Sequence, residues 1–289
     1  MVDVLSVLLR ACSFVALFQA AGIALFAILF GRLLAGQLPR LRRLSRVAAL
    51  AGIAATAGHC LLEPARMAGE LAGVMDPALE RLLWSSPAGA ACAVRIVGLA
   101  LIAVSAARGA LLGRCAAVAG IGLALLSFLL TGHTATSPHR WALAPLLGFH
   151  LLAVAFWFGA LAPLYVLTRS EPPQVAGQII ASFSAVASWV VAGLLLAAAG
   201  LAVGLIAGLA VLAQPYGQLL LTKMGLFLAL LALACLNKWR FGPAVGRGDA
   251  RATAALRRSI VAEQVLISCV LAVTAVMTSW FSPGMAGSP

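Results

Sequence analysis

The chain has 289 residues, of which 63% are hydrophobic and only 10% charged, and its mean hydropathy is +1.07. A soluble domain carries roughly a quarter charged residues, so this composition cannot cover a water-facing surface and excludes a soluble globular protein. The net charge of +12 does not indicate a nucleic-acid binder, because the basic residues gather between apolar runs and form no stripe interleaved with aromatics.

In chain order the apolar runs predict eight helices, over about Val4–Phe30, Val47–Leu62, Ala88–Ala107, Cys115–Leu130, Pro138–Leu167, Val175–Ala207, Gly217–Trp239 and Ser259–Phe281. Each is about long enough to span a bilayer, and the longer ones are expected to tilt or extend beyond it. The start, "MVDVLSVLLRACSF", lacks the basic region of a cleavable signal peptide. No internal repeat or low-complexity linker divides the chain, so residues 1–289 are read as one transmembrane domain. The fold class expected is an all-α integral membrane protein, a bundle of eight transmembrane helices.

Orientation follows from the basic residues. The first connection holds Arg32, Arg40, Arg42, Arg43 and Arg46, the third Arg108 and Arg114, the fifth Arg169, and the seventh Lys238, Arg240, Arg247, Arg251, Arg257 and Arg258. The even connections hold Arg66, Arg81 and Arg140. The positive-inside rule then places both termini outside, in the periplasm of a bacterium whose inner membrane holds the protein. The longest outer connection, Glu63–Trp84, contains "DPALE", with Asp76 as a helix cap and proline at the first helical position. A short interfacial helix is expected there, with Leu79, Leu82 and Leu83 on its apolar side.

With this topology all four histidines fall toward the outer side. His59 ends the second helix, His133 and His139 flank the fourth connection, and His150 lies within the fifth helix. "SPHR" reads as a helix start, with Ser137 as cap and Pro138 at the first position. His139 and His150 then share a face about 16 Å apart, too far to hold one ion but suited to two stations along a path. An ionisable ring at the depth of His150 is costly in lipid and usually faces a cavity or a partner. Cys60, Met67 and Met75 lie on the same side. Imidazole, thiolate and thioether select copper, Cu(I) above all, over hard cations. Each residue also has a structural reading: His139 as a solvated interfacial residue, His133 as a helix cap, Cys60, Met67 and Met75 as packing groups. The six cysteines are scattered singly, without CxxC or zinc-type spacing, and most are read as small buried hydrophobes.

Four further charges lie inside apolar runs. Arg10 and Lys223 are expected to snorkel to headgroups, and Arg95 to pair or to line a polar interior. Glu263 is expected in an ion pair with Lys238 or Arg258, with a proton-relay role as the alternative.

"GHTATSPHRWALAPLLGFHLLAVAFWFGALAPL" (Gly132–Leu164) resembles a signature of the copper resistance protein D family. The resemblance continues through "PYGQLLLTKMGLFLALLALACLNKWRFGP" (Pro215–Pro243) and "LRRSIVAEQVLISCVLAVTAVMTSWFSP" (Leu256–Pro283). It covers the C-terminal half strongly and the N-terminal half in hydropathy only. It implies an eight-helix inner-membrane protein of bacterial copper handling that works with a small periplasmic copper-binding partner. By motif, His133 and His150 correspond to the family's signature histidines, and Trp157, Tyr216, Lys223, Asn237 and Glu263 also match. The sequence departs from the family at Ala181, where an arginine is common, and in the first helix, where Cys12 and Gln19 stand near the place of a common histidine.

These readings converge on a transporter and not an enzyme, one that moves copper between periplasm and cytoplasm with import preferred. The ion would enter at His133, His139 and the His59–Cys60 corner and pass to His150. No GxxxxGK[ST] loop occurs, so no nucleotide is expected. Two rivals stay open. One is a b-type cytochrome holding haem between His59 and His150. The other is a membrane receptor that docks a periplasmic copper chaperone and does not need His150.

Overall fold

The computed structural model describes residues 2–34, 36–107, 110–205 and 214–280, apart from the side chains of Ala110, His133 and Leu205. Arg108, Ala207, Phe281 and Pro283, which figure in the sequence reading, lie outside the described residues. Every regular element among those described is helical. The long helices are α1 (Val2–Phe30), α2 (Leu38–Ala68), α4 (Pro87–Ser105), α5 (Ala110–Leu126), α7 (Arg140–Ser170), α8 (Pro173–Leu205), α9 (Pro215–Leu236) and α11 (Ala250–Trp280). All eight are long and apolar enough to cross a membrane, the number that hydropathy predicts. Three short helices connect them: α3 (Pro77–Trp84), α6 (His133–Thr136) and α10 (Gly242–Gly246).

Two helices begin well before their apolar runs. α2 starts at Leu38 with a proline in its first turn, where the missing N–H has no intrahelical partner to lose. Arg40, Arg42, Arg43 and Arg46 are therefore on a helix and not in a loop. α11 starts at Ala250, its first turn held by Asp249 Oδ1, which accepts from the N–H groups of Arg251 (2.8 Å) and Ala252 (3.1 Å). Hydropathy marks only lipid-embedded turns, and a helix can continue into water on polar residues. The short helix expected after Asp76 is present as α3, with Asp76 Oδ1 accepting from Ala78 N at 2.8 Å and Leu79 N at 3.4 Å. The predicted start at Pro138 is different: α7 begins at Arg140, with His139 at the cap position and no side-chain cap. Ser137 Oγ instead accepts from His139 N at 3.2 Å, closing the turn between α6 and α7.

The end of the bundle at which α1 begins is called the upper end below. α1 and α7 form the centre. α1 packs on α2, α7 and α11, and α7 on α1, α8 and α11, while α4 lies against α2 and α5, and α9 against α11. In lipid, apolar burial drives helix association little, and close backbone packing replaces it. α1 and α7 cross at Gly22 and Gly159. A Cβ on Gly22 would stand 2.6 Å from Gly159 Cα, and one on Gly159 would stand 2.6 Å from Ile23 N. Phe18, Phe26 and Phe158, each within about one turn of that crossing, are almost fully buried.

Candidate functional site

The upper end holds a polar knot around His59, which is only 6% exposed. Arg10 Nε donates to His59 Nε2 at 3.2 Å. A guanidinium can only donate, so Nε2 carries the lone pair and Nδ1 the proton, which it donates to Ser6 Oγ at 3.0 Å. Glu63 Oε1 lies 3.3 Å from the same Nε2 and 2.9 Å from Arg66 Nη1, and Arg66 Nε reaches Asp3 Oδ1 at 3.3 Å. The other side of Arg10 donates to Thr278 O and Ser279 Oγ, both at 3.0 Å. The knot thus ties α1, α2 and α11 together.

Three sequence readings change here. Arg10 does not snorkel, because its guanidinium is spent on α2 and α11. Glu63 belongs to α2, which runs through Pro64 to Ala68. His59 has both ring nitrogens engaged by Ser6 and Arg10, so it offers no free lone pair to a copper ion. The same hydrogen bonds occupy the nitrogen that an axial haem ligand would need.

Cys60 is disulfide-bonded to Cys92 of α4, with Cα atoms 6.9 Å apart. Its sulfur is therefore not a free thiolate, which corrects its assignment as a metal ligand. Cys12, Cys115, Cys235 and Cys269 are exposed on the helix surfaces, not buried as expected. Met67 is exposed two turns beyond Cys60, and Met75 is 85% exposed in the connection. Arg95 is buried as expected, but its partners are a hydroxyl and rings. Its Nε donates to Ser127 Oγ at 3.1 Å, and its guanidinium lies 4.2 Å from the Phe128 ring centre. A cation over an aromatic face is stabilised without a carboxylate.

His133 has its backbone in α6, and its side chain lies outside the described residues. His139 is exposed at the start of α7, its carbonyl accepting from Ala142 N and Leu143 N. His150 lies about 15 Å further along that helix. Its ring is half-buried, and its Nδ1 is buried without a hydrogen-bond partner. Among the described residues no three His, Cys, Asp or Glu side chains converge into a metal-holding cluster. The arrangement is one of separate stations: an exposed imidazole at the start of α7 and a half-buried one deeper in the same helix.

Below His150, the bundle holds a second polar site that sequence reasoning assigned differently. Glu263 is only 2% exposed and pairs with neither Lys238 nor Arg258. Its Oε2 accepts from Trp157 Nε1 of α7 at 3.0 Å, and its Oε1 accepts from Asn237 Nδ2. Lys238 donates instead to Ser188 Oγ at 2.6 Å, and Arg258 is exposed. Only the family resemblance had singled out Trp157 and Asn237. The signal that could have found them is chemical: one buried carboxyl needs donors, and a tryptophan and an asparagine inside apolar runs supply them.

Comparison with known families covers both halves of the bundle. A family model described as Copper resistance protein D matches residues 177–277. A second, described as Copper resistance protein D-like, N-terminal domain, matches residues 1–141. The likeness therefore extends into the N-terminal helices, where the sequence reading had found hydropathy alone. No match was found among curated proteins or solved structures. With both halves matched in order along one eight-helix chain, the protein belongs to the copper resistance protein D family.

Proposed function

We propose that the protein moves copper, as Cu(I), through a bacterial inner membrane from periplasm to cytoplasm, with both termini on the periplasmic side. The observation that carries this reading is His150, which holds an unpartnered ring nitrogen inside a family defined by copper resistance. A buried imidazole without a hydrogen bond is costly unless something else uses its nitrogen. The positive-inside pattern assigns the upper end to the periplasm, so His139, and His133 beside it, would meet the ion before His150. A station on a conduction path must release what it holds, and a single imidazole donor at His150 is consistent with weak, transient binding. Donor softness favours Cu(I) over a hard cation. A small periplasmic copper-binding protein would deliver the ion at the upper end, and no nucleotide takes part.

The test is uptake by purified protein in proteoliposomes, with Cu(I) outside and an entrapped chelating dye inside. Wild type is expected to accumulate copper, and His150→Ala to fall to the level of protein-free vesicles. If His150→Ala retains full uptake, this path is wrong. No uptake in wild type, together with binding of a periplasmic copper protein to the outer face, would establish the docking receptor instead.

A further inference from the structure

The second polar site carries an inference of its own. Glu263 lies in the middle of α11, about 20 Å from its start. Both carboxyl oxygens are bonded by neutral donors, Trp157 and Asn237, and among the described residues no cation stands within ion-pair distance. The charged and titratable groups on the elements around α11 are directed elsewhere. Arg10 of α1 is held in the upper knot, and Asp3 is bonded to Arg66. His150, Tyr216 and Lys223 lie nearer the upper end, and Arg169 stacks on Tyr165. Lys238 is bonded to Ser188, Arg257 to Thr168, and Arg240 and Arg258 are exposed. A carboxylate left without a counter-charge in a membrane interior is strongly disfavoured, and taking up a proton removes the charge.

The geometry also provides for the proton. Asn237 Oδ1 is buried and has no partner while Nδ2 donates to Glu263. Rotating the amide by half a turn exchanges the two atoms, and Oδ1 then accepts the O–H of a protonated carboxyl. Each protonation state thus has its own complete pairing. The charged form takes two N–H donors, and the neutral form gives its O–H to Oδ1 and keeps the indole bond. Asn237 begins a π-helical turn, Asn237–Phe241, at the end of α9, and such turns loosen the helix ladder where a side chain must move. Ser259, one helical turn toward the lower end, holds a second buried and unpartnered oxygen on the same face of α11.

We propose that Glu263, Asn237 and Trp157 form a proton-binding site, and that a proton bound there is exchanged for copper in the transport cycle. The proton enters from the lower end past Ser259, adds to Glu263 Oε1, and is released toward the upper end when that O–H bond breaks; nothing is oxidised or reduced. The proton site stands on its own geometry, whereas its coupling to copper rests on the function proposed above.

Infrared difference spectroscopy of the purified wild type in nanodiscs, stepped between acid and alkaline buffer, tests the site without copper. A protonated-carboxyl C=O band is expected to appear at acid pH, to vanish in Glu263→Gln and to shift in Trp157→Phe, which lacks one hydrogen bond. Should Glu263→Gln not fold, the Trp157→Phe shift carries the assignment. A spectrum without the band, or a band that neither substitution alters, overturns the proton site. Proteoliposomes with an entrapped pH dye then test coupling: Cu(I) flux in wild type should change internal pH, and Glu263→Gln should abolish that change. The band with copper flux but no pH change overturns the coupling alone. The band with no copper flux in wild type leaves the proton site standing and removes the transport reading.

Discussion

The indole Nε1 of Trp157 donates to Oε2 of Glu263 at 3.0 Å, joining α7 to α11 across 106 residues of sequence. The same ring meets Phe227 of α9 edge-on, with ring centres 6.3 Å apart. One tryptophan therefore holds two neighbouring helices, one by a polar bond and one by packing.

Trp157→Phe keeps much of the ring and removes the donor. Leaving a buried acceptor without its donor costs about 1–3 kcal/mol. The thermal unfolding midpoint in detergent is expected to fall accordingly. In a Glu263→Leu background the same substitution should cost measurably less, because the acceptor is gone. Equal costs in both backgrounds would show that the bond contributes nothing.

The α1–α7 crossing predicts a sharp contrast between glycines. Gly159→Ala sets a methyl against the backbone of Gly22 and Ile23, where no side chain can yield. Overpacking of this kind costs about 1–3 kcal/mol, and a lower yield of monodisperse protein on size exclusion is expected. Gly122→Ala and Gly148→Ala meet nothing within 4 Å and should behave as wild type or slightly better.

Thiol labelling reads out the disulfide. In unreduced, denatured protein, Cys12, Cys115, Cys235 and Cys269 should take a maleimide, and Cys60 and Cys92 only after reduction. Mass spectrometry counts the adducts. Replacing both bonded cysteines by alanine should cost about 4 kcal/mol, the chain-entropy worth of closing a loop of this size.

His59 and His150 should separate in a metal assay. His59→Ala removes the acceptor of Arg10 and should lower stability by about 1–3 kcal/mol without lowering copper content after Cu(I) loading. His150→Ala should lower copper content and alter stability little. Elemental analysis beside thermal unfolding distinguishes the two patterns, and copper loss in His59→Ala would return that residue to the path.

Local features of this fold were readable in the sequence, and through-space ones were not. Eight spans follow from apolar run length, and the α3 cap follows from Asp76 and a proline one residue later. The extra turns of α2 and α11 escaped because a helix outside lipid needs no apolar residues. Arg10 was read as a snorkelling cation because its partners on α11 are more than 260 residues away. Cys60 and Cys92 are separated by 32 residues, and each looks like an isolated apolar residue until α2 and α4 are packed. His150 could be picked out because a lone imidazole in an apolar run is conspicuous at any distance. Glu263 was equally visible, but its charge drew attention to cations when its partners are neutral.

The bare contact of Gly22 and Gly159 also fixes how α7 can move. With no side chains between the two backbones, the helices cannot approach further, and the contact acts as a fulcrum. His150 lies about 14 Å above it along α7 and Thr168 about 14 Å below it. A rocking of α7 by about 10° about that point carries the two residues in opposite directions by about 2 Å each, from the rise per residue alone. Widening the bundle beside His150 and narrowing it beside Thr168 are then the two ends of one motion.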